Sequence, residues 1–308
     1  MKKNILTSTE KEFKSGYASL IGRPNVGKST LMNSLVEQKI AAMSRRPQTT
    51  RNKITGICHV PGGQIILLDT PGIHKAATKL DQAMVKTSMR TYGDVDLILF
   101  MIDARKGFCE EDEYVLNSMQ KVTVPKLLVI NKVDLLAKPE LLGLIAEMSK
   151  SGIFDEIIPI SALKKDGLDI LKSSILKRFD EGPEYFPKDM VTDCPEEFLA
   201  SEIIREKIIK LTHLEIPYTV AVVVERMQQS DNGTAMIDAT IYTEKNSQKK
   251  ILIGEKGSLL KKVGTQARQE IEKRLGSKVF LKLFVKVKAN WRGDENKLKE
   301  FGYSSGTY

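Results

Sequence analysis

The chain has 308 residues, 41% of them hydrophobic, which is enough to bury a sizeable core, and its length favours two domains over one. No apolar run is long enough to span a bilayer, the start "MKKNILTSTEKEFKSG" lacks the apolar core of a signal peptide, and the cysteines are scattered and odd in number. We therefore expect a cytoplasmic protein with no disulfide framework and no cysteine metal site.

The net charge of +9 is unevenly distributed. Lys245–Arg292 holds fourteen Lys and Arg against three Asp and Glu, Met1–Val60 holds eleven against three, and Pro61–Glu244 holds 21 against 30. Two basic regions separated by an acidic one predict contact with a polyanion at two places, and solvated surface charge is the alternative. We expect each of the isolated histidines to be an ordinary surface or loop residue: His59, His74 and His213.

The first half of the chain alternates strand-like and helix-like segments. The predicted strands are Tyr17–Gly22, Lys53–Val60, Gln64–Thr70, Asp96–Asp103, Lys126–Lys132 and Glu156–Ser161. The second and third form a hairpin around Pro61, Gly62 and Gly63. The predicted helices are Leu80–Tyr92, Glu110–Lys121, Glu140–Lys150 and Leu168–Phe179. This order predicts a doubly wound α/β domain with a mainly parallel sheet over residues 1–180.

The stretch "DEGPEYFPKDMVTDCPEE" interrupts this alternation, and its prolines and glycine predict a linker at 181–195. A different order follows in residues 196–308, which are predicted to form a second domain with a C-terminal tail. It contains a helix at Glu197–Leu211, strands at Tyr218–Arg226 and Thr234–Thr243, two helices flanking Gly254–Gly257, and a strand at Val279–Lys288. The α-β-β-α-α-β string predicts an α+β domain.

"GRPNVGKS" matches the phosphate-binding pattern G-x-x-x-x-G-K-[ST] between a strand and a helix. Gly22 and Gly27 let the backbone curl so that its N–H groups point at the β-phosphate, at the positive end of the following helix. Lys28 supplies charge to the β- and γ-phosphates, and the Ser29 hydroxyl ligates Mg²⁺. The residues assigned to this loop are Gly22, Arg23, Pro24, Asn25, Val26, Gly27, Lys28, Ser29 and Thr30.

"DTPG" follows an apolar strand, so Asp69 is predicted to hold Mg²⁺ through water and the Gly72 N–H to contact the γ-phosphate; alone, the tetrapeptide would be an ordinary proline turn. In the basic loop "RRPQTTRNK", Thr50 is preferred over Thr49 as the residue that completes the Mg²⁺ shell when a γ-phosphate is present. An inert connecting loop is the alternative. The predicted metal ligands are Ser29, Thr50 and Asp69, and the assigned segment comprises Asp69, Thr70, Pro71, Gly72 and Ile73.

"NKVD" closes the next strand and selects the base. Guanine presents N1–H and N2–H₂ side by side, and the Asp134 carboxylate accepts both, whereas adenine would leave that carboxylate desolvated and unpaired. Asn131 holds the loop, Lys132 covers the ring face, and the Ala162 N–H of "SAL" reaches guanine O6. The residues assigned to the base are Asn131, Lys132, Val133, Asp134, Ser161, Ala162 and Leu163.

Many nucleotide triphosphatases place a water-orienting side chain at the position of Ile73, which can neither donate nor accept a hydrogen bond. Backbone groups, the switch loop, a cation or a partner must position the water, so slow intrinsic hydrolysis is expected. The residues assigned to catalysis are Lys28, Thr50, Gly72 and Asn25.

"ILIGEKGSLLKKVG" carries G-x-x-G between an apolar turn and a lysine-rich helix. In KH domains such a loop clamps the backbone of a short single strand of RNA. Lysines supply charge for the phosphates, and Glu255 opposes them. Trp291 either stacks on a base or caps the core. The predicted RNA-binding residues are Ile253, Gly254, Glu255, Lys256, Gly257, Lys261 and Lys262.

The two halves together resemble the Era family, bacterial GTPases with a C-terminal KH domain. The resemblance covers Tyr17–Tyr303 and rests on "GRPNVGKSTLMNSL", "PQTTR", "DTPGIH", "NKVD", "ASEIIREK", "EIPY", "QKKILIGEKG" and "FVKVKANW". It implies a P-loop GTPase domain followed by a type II KH domain, with GTP or GDP and Mg²⁺ as cofactors. The chain is also similar to a subgroup of GTPases that have a hydrophobic residue where Ile73 stands. Some members of this subgroup hold K⁺ through an asparagine placed like Asn25.

The same resemblance implies binding to small-subunit (16S) ribosomal RNA near its 3′ end and a role in biogenesis of the 30S subunit. A monomer, peripheral contact with the inner face of the cell membrane and a link to cell-cycle control are further expectations that it raises. Two alternatives remain: a metabolic or tRNA-modifying GTPase, and a passive RNA-binding module with a degenerate nucleotide site. Residues 196–308 hold no cysteine, histidine or paired-carboxylate constellation that favours the first alternative, and intact Lys28, Ser29, Asp69 and Asp134 disfavour the second.

Overall fold

A computed structural model describes residues 13–44, 46–74 and 76–303 of the chain. The N-terminal stretch without a signal-peptide core, Arg45 of the basic loop and the C-terminal tail from residue 304 lie outside these described residues. Within them, no helix combines the length and the apolar character needed to cross a bilayer.

The first domain is built on a six-stranded sheet of order β2-β3-β1-β4-β5-β6. β2 is antiparallel to β3, as predicted for the hairpin, and the other neighbours are parallel, so the doubly wound α/β prediction is confirmed. The strands are β1 Lys14–Ile21, β2 Ile54–Val60, β3 Gly63–Asp69, β4 Leu97–Asp103, β5 Lys126–Asn131 and β6 Glu156–Ile160; the helices are α1 Lys28–Val36, α2 Lys79–Arg90, α3 Glu110–Asn117, α4 Lys138–Ser149 and α5 Leu168–Leu176.

Helices cover both faces of this sheet, which explains why its central strands are continuous apolar runs. Leu31 of α1 and Leu171 of α5 pack on one face. Val115 of α3 and Leu144 of α4 pack on the other. The carboxyl ends of β1, β3, β5 and β6, where the predicted site residues lie, meet at one edge of the sheet.

The second domain has a three-stranded sheet of order β7-β8-β9, in which β7 and β8 are antiparallel and β8 and β9 are parallel. Its elements are α6 Glu196–Leu211, α7 Ile216–Thr219, β7 Ala221–Gln229, β8 Ala235–Thr243, α8 Asn246–Ile253, α9 Ser258–Leu275, β9 Val279–Val287 and α10 Glu295–Glu300. The predicted α-β-β-α-α-β order is therefore confirmed, with the short helices α7 and α10 in addition.

The predicted strand Tyr218–Arg226 began three residues too early. Ile216–Thr219 forms the short helix α7 instead, and the Tyr218 N–H donates to the Glu215 carbonyl at 3.0 Å. Pro217 lies in the first turn, where its missing N–H costs nothing. The strand consequently starts at Ala221 and continues to Gln229, with an irregularity between Val224 and Arg226.

Trp291 belongs to the core rather than to an exposed stacking surface. Its side chain is fully buried, and the indole Nε1 donates to the Thr219 carbonyl at 2.9 Å. The ring packs against Phe301 and Tyr303 in a cluster that also contains Leu80 and Met84 of α2. Of the two alternatives for Trp291, the capping core aromatic is the correct one, and this cluster joins the two domains.

The segment between α5 and α6 runs along the edge strand β2. The Ile57 N–H donates to the Val191 carbonyl at 2.9 Å, and the Thr192 hydroxyl donates to the Thr55 carbonyl at 2.6 Å. Phe198, in the first turn of α6, packs into the core of the first domain. This segment therefore holds the second domain against the edge of the first sheet.

Glu206 of α6 is a buried carboxylate that binds the first domain directly. Lys39, which follows α1, contacts its carboxylate at 2.7 Å, and the Met43 N–H donates to it at 2.9 Å. Burial opposes ionisation, but hydrogen bonds from Lys210, Lys39 and the Met43 amide outweigh it and lower the pKa of Glu206 to about 2. Glu206 is therefore charged at neutral pH and links the two domains.

Because the pKa of Glu206 is depressed in the folded state, its stabilising effect is present above the unfolded value of 4.5 and is lost as the pH falls towards 2. Glu206→Gln does not titrate there. We expect the gap in free energy of unfolding between wild type and this variant to shrink by about 2 kcal/mol between pH 5 and pH 3, measured by urea denaturation. Glu197→Gln, at an exposed position of the same helix, serves as the matched control. An unchanged gap for Glu206→Gln would contradict the assignment.

Candidate nucleotide site and GxxG loop

The phosphate loop lies between β1 and α1 and is shaped by two glycines with positive φ. A Cβ atom on Gly27 (φ 108°) would lie 2.2 Å from the Asn131 amide nitrogen, and one on Gly22 would lie 2.5 Å from the Met101 carbonyl oxygen. Any side chain at either position would therefore displace the loop. The loop has the geometry that a backbone phosphate cradle requires.

Lys28 lies inside this loop with its ammonium group buried. Its Nζ donates to the carbonyls of Gly22 at 2.9 Å and Arg23 at 3.1 Å. Burial, reinforced by Arg23, lowers the pKa of Lys28 to about 8 against the opposing effect of Asp69. The Lys28 amine is therefore largely protonated at neutral pH. It lies where phosphate oxygens would replace the carbonyls of Gly22 and Arg23 as its partners.

The side chains of Arg23 and Val26 do not face the phosphate position. Arg23 donates from Nε to both oxygens of the Asp112 carboxylate, at 3.0 and 3.1 Å, and so binds the start of α3. Val26 is buried in the core. For both residues only the backbone remains available to a nucleotide. Pro24 and Thr30 are half-buried and Asn25 is exposed with φ 67°.

Ser29, Thr50 and Asp69 converge on one point, as predicted for metal ligands. The Ser29 hydroxyl donates to Asp69 Oδ2 at 2.6 Å, the hydroxyls of Ser29 and Thr50 lie 2.8 Å apart, and Thr50 lies 3.3 Å from the same carboxylate oxygen. Asp69 Oδ1 is buried without a hydrogen-bond partner among the described residues. Burial raises the pKa of Asp69 despite Lys28, Ser29 and Thr50. This oxygen set, with its unpaired acceptor, fits Mg²⁺.

The segment after Asp69 packs closely on the phosphate loop. A Cβ atom on Gly72 would lie 2.7 Å from the Pro24 nitrogen, so the Gly72 backbone reaches the loop only because it has no side chain. Thr70 is buried and donates to the Leu20 carbonyl at 3.0 Å, while the Pro71 carbonyl accepts from Ser88 at 2.8 Å. These two residues fix the turn and leave the Gly72 N–H as the segment's candidate phosphate contact.

Ile73 is buried in the core, with only 2% of its surface exposed. Its side chain therefore orients no water, as its chemistry implied, and its burial leaves only its backbone for the nucleotide contact assigned to this segment. His74, expected to be an ordinary surface or loop residue, lies in a loop and is half-buried: Nδ1 lies 2.8 Å from the Gly72 carbonyl and Nε2 lies 3.1 Å from Gln48 Nε2. Gln48 also donates to Asp81 at 2.8 Å. These contacts join the basic loop to the segment that follows β3, and both ring nitrogens of His74 are engaged.

The base-side residues lie at the ends of β5 and β6. Asp134 accepts a hydrogen bond from the Ser161 hydroxyl at 2.6 Å, which fixes the carboxylate in orientation. Asn131 Nδ2 donates to the Val26 carbonyl at 2.8 Å and joins this loop to the phosphate loop. The Ala162 N–H, predicted to reach guanine O6, donates to Asn131 Oδ1 at 3.0 Å in this structure. Val133 is half-buried and Leu163 is exposed at the rim.

Lys132 is positioned by an acidic residue that the sequence patterns did not single out. Its Nζ donates to Asp103 Oδ2 at 2.6 Å and to the Asn25 carbonyl at 2.7 Å. Burial disfavours the charged form of Asp103, but Arg105 and Lys132 outweigh it and hold the pKa of Asp103 at about 2. The position of Asp103 at the end of β4, beside the other strand ends, was a signal that could have identified it.

The residues beside Thr50 are bound by the second domain. The Arg51 guanidinium is 2% exposed and donates to the carbonyls of Val220 at 2.6 Å and of Pro217 and Tyr218 at 3.1 Å each. It also lies 5.9 Å from the Trp291 ring centroid. One residue before Thr50, the Thr49 carbonyl accepts a hydrogen bond from buried Arg205 of α6. The residue spacing in the sequence predicts neither the Arg51 contacts nor the Arg205 contact.

The G-x-x-G loop projects from the second domain between α8 and α9. Gly254 has φ 72° and Gly257 has φ 79°, and a Cβ atom on Gly254 would lie 2.9 Å from Leu259. Glu255, Lys256, Lys261 and Lys262 are exposed, and Ile253 is half-buried against the core. The structure thus places the predicted RNA-binding residues together on one accessible surface of the helix pair.

Two family models match the chain. Residues 17–132 match the family described as 50S ribosome-binding GTPase, and residues 215–292 match the KH domain. The phosphate-binding loop lies in the first of these segments and the G-x-x-G loop in the second.

Full-length relatives are similar over nearly the whole chain. GTPase Era of Geotalea daltonii is 48% identical over 295 residues, covering 96% of this chain and 99% of that protein. GTPase Era of Ruminiclostridium cellulolyticum is 48% identical over 293 residues, covering 95% and 98%.

Two solved structures are similar at 41% identity, each with a TM-score of 0.92 and 95% of this chain covered. One is Era in complex with MgGDPNP and nucleotides 1506–1542 of 16S ribosomal RNA, covered to 99%, and the other is a point variant of Aquifex aeolicus Era bound to GDP and AlF₄⁻, covered to 100%. With relatives this similar over their full length, the chain belongs to the Era family of GTPases.

Proposed function

We propose that this protein is a GTP-hydrolysing switch that binds small-subunit (16S) ribosomal RNA near its 3′ end and acts in biogenesis of the 30S subunit. The observation that carries the proposal is that Thr50, a candidate Mg²⁺ ligand, lies between two residues held by the KH domain. The full-length similarity to an Era structure that contains MgGDPNP and 16S RNA supports the ligands. We further propose 1–180, 181–195 and 196–308 as G domain, linker and KH domain; one family match lies inside each of the two proposed domains.

We assign the roles of the site residues as follows. The loop Gly22–Thr30 and the Gly72 N–H bind the phosphates, Ser29, Thr50 and Asp69 hold Mg²⁺, and Asp134 selects guanine. Bound Mg²⁺ would neutralise charge on the β- and γ-phosphates. Lys28 adds a second positive charge beside the same oxygens. Intact Ser29, Asp69 and Lys28 geometry disfavours the passive RNA-binding module as an alternative.

Replacement of Asp134 tests the choice of base. We expect Asp134→Ala to bind GTP at least about 100-fold more weakly, because two hydrogen bonds to a charged group are lost, and to lose its preference over ATP. Asp134→Asn should regain affinity for xanthosine triphosphate, whose C2 carbonyl accepts from the new amide. Fluorescent-nucleotide titrations measure both effects. A preference for GTP that survives in Asp134→Ala would refute the assignment.

The buried position of Ile73 leads us to expect slow hydrolysis by the protein alone. Phosphate release is to be measured in K⁺ and in Na⁺, with and without RNA of nucleotides 1506–1542 of 16S ribosomal RNA. We expect turnover to rise with K⁺ and with the RNA, and Asn25→Ala to lose the K⁺ effect while keeping the RNA effect. Fast turnover in Na⁺ without RNA would contradict the proposal.

The contacts of Arg51 offer a route between the two sites. Because Thr50 is proposed to bind Mg²⁺ while its neighbours bind the KH domain, ordering of this loop by nucleotide would change how the KH domain is held. The coupling requires a difference in these contacts between the GTP and GDP states.

Arg51→Met removes the fork of donors while leaving the predicted nucleotide ligands intact. We expect RNA stimulation of GTP turnover to be lost, with nucleotide affinity changed less than about threefold. Lys53→Met, in the same loop, removes the same charge and serves as the matched control. Stimulation in Arg51→Met equal to wild type, in a variant whose melting curve remains cooperative, would rule out this route.

Cytoplasmic location, a monomeric state, peripheral contact with the inner face of the cell membrane and a link to cell-cycle control are proposed on the family resemblance alone. A tRNA-modifying role is the alternative to the proposed function. Crosslinking of bound RNA in cells would distinguish the two, because it identifies the RNA as 16S ribosomal RNA or as tRNA.

A further inference from the structure

The outer face of the KH sheet carries an exposed row of alternating aromatic and basic side chains on β9. Phe280 and Phe284 are 48% and 50% exposed, and Lys282 and Lys286 between and after them are exposed as well. Side chains two residues apart on a strand share a face, so these four form one row. We define them as the β9 row. Exposure of two phenylalanines on a sheet is unusual unless a partner covers them.

The β9 row lies on the face opposite the helices. The intervening residues of β9, Val279, Leu281, Leu283 and Val285, pack against the core formed with α9. The G-x-x-G loop joins α8 to α9 and therefore belongs to the helical side of the sheet. The β9 row is a surface separate from the proposed G-x-x-G contact.

The rest of this face is partly covered and partly open. Tyr242 of β8 stacks on Phe301, so the segment after Trp291 covers one end of the face. At the other end, Asp238 lies beside Lys282 in register and Arg226 lies beside Asp238, with Arg226 bonded to Gln228. The face thus carries Arg226, Lys282 and, beside Tyr242 in register, Lys286 against two carboxylates, Asp238 and Glu225, the second of which accepts from the Tyr242 hydroxyl at 3.2 Å, so its net charge is positive. This balance suits an anionic partner.

We propose that the β9 row is a second RNA-binding surface that stacks the bases of a single strand on Phe280 and Phe284. The two rings are about 13 Å apart along the strand, and a lysine follows each ring to meet the phosphates. The Lys282 ammonium already lies 5.5 Å from the Phe280 centroid, so charge and π-face are presented together. Base–aromatic stacking is tolerant of sequence, so this surface would extend the footprint of RNA held at the G-x-x-G loop without adding a sequence requirement.

The test uses full-length protein and fluorescent RNA of nucleotides 1506–1542 of 16S ribosomal RNA, with affinity measured by anisotropy. The paired variant Phe280→Leu and Phe284→Leu keeps apolar area but loses the stacking face, and we expect at least about fivefold weaker binding for each ring removed. The pair Phe280→Tyr and Phe284→Tyr should bind within about threefold of wild type. Lys282→Ala and Lys286→Ala should each reduce the slope of log affinity against log salt by about 1.

Lys256→Glu weakens the G-x-x-G contact and separates the two surfaces. Because the surfaces are distinct, its effect should add to that of the leucine pair. If the leucine pair binds the RNA with wild-type affinity while Lys256→Glu binds it more weakly, the second surface is overturned and the proposed function stands. If the wild-type protein shows no specific binding to the RNA, the second surface and the proposed function are both overturned. Two further results would also overturn the second RNA-binding surface. One is binding to anionic vesicles by the leucine pair but not by the tyrosine pair, which would indicate a membrane contact. The other is a wild-type dimer that Phe280→Lys dissociates, which would indicate a contact between two copies of the chain.

Discussion

The contact on which this architecture depends is the burial of Arg51 among backbone carbonyls of the second domain. A guanidinium with 2% exposure is tolerated only because its charge is spread over three carbonyl acceptors and two aromatic rings. The residue is part of the loop that supplies Thr50 to the metal site. Any rearrangement of that loop must therefore either carry the KH domain with it or expose a buried charge. This constraint makes the two domains mechanically dependent on each other.

The nucleotide site is held together by contacts between its own parts. Lys28 donates to carbonyls of its own loop, Asn131 ties the base loop to the phosphate loop, and Ser29 and Thr50 meet at Asp69. Preorganisation of this kind reduces the rearrangement that binding requires. One acceptor, Asp69 Oδ1, stays buried without a partner among the described residues, and its desolvation favours a divalent cation at that point.

The KH domain presents different chemistry on its two sides. On the helical side, the glycines of the G-x-x-G loop allow close approach and the lysines of α9 add charge. On the sheet side, aromatic and basic side chains alternate along β9. Glu206 and its lysine partners hold this domain against the first through a buried, multiply bonded carboxylate. The relative position of the two domains therefore depends on a charged contact as well as on buried apolar area.

The sequence by itself predicted the α/β and KH architectures and identified Ser29, Thr50 and Asp69 as one set of metal ligands. It could do so because apolar runs and glycine-rich turns determine structure over short stretches of chain. Ile73 was likewise readable, since a side chain without polar atoms orients no water. Only the tertiary structure decided that the Arg23 side chain turns to Asp112, that the Ala162 N–H is taken by Asn131, that Trp291 is core and that Arg51 enters the second domain. Each of these depends on a partner that lies far away in the chain, and no local pattern records which distant carbonyl or carboxylate a long side chain will meet.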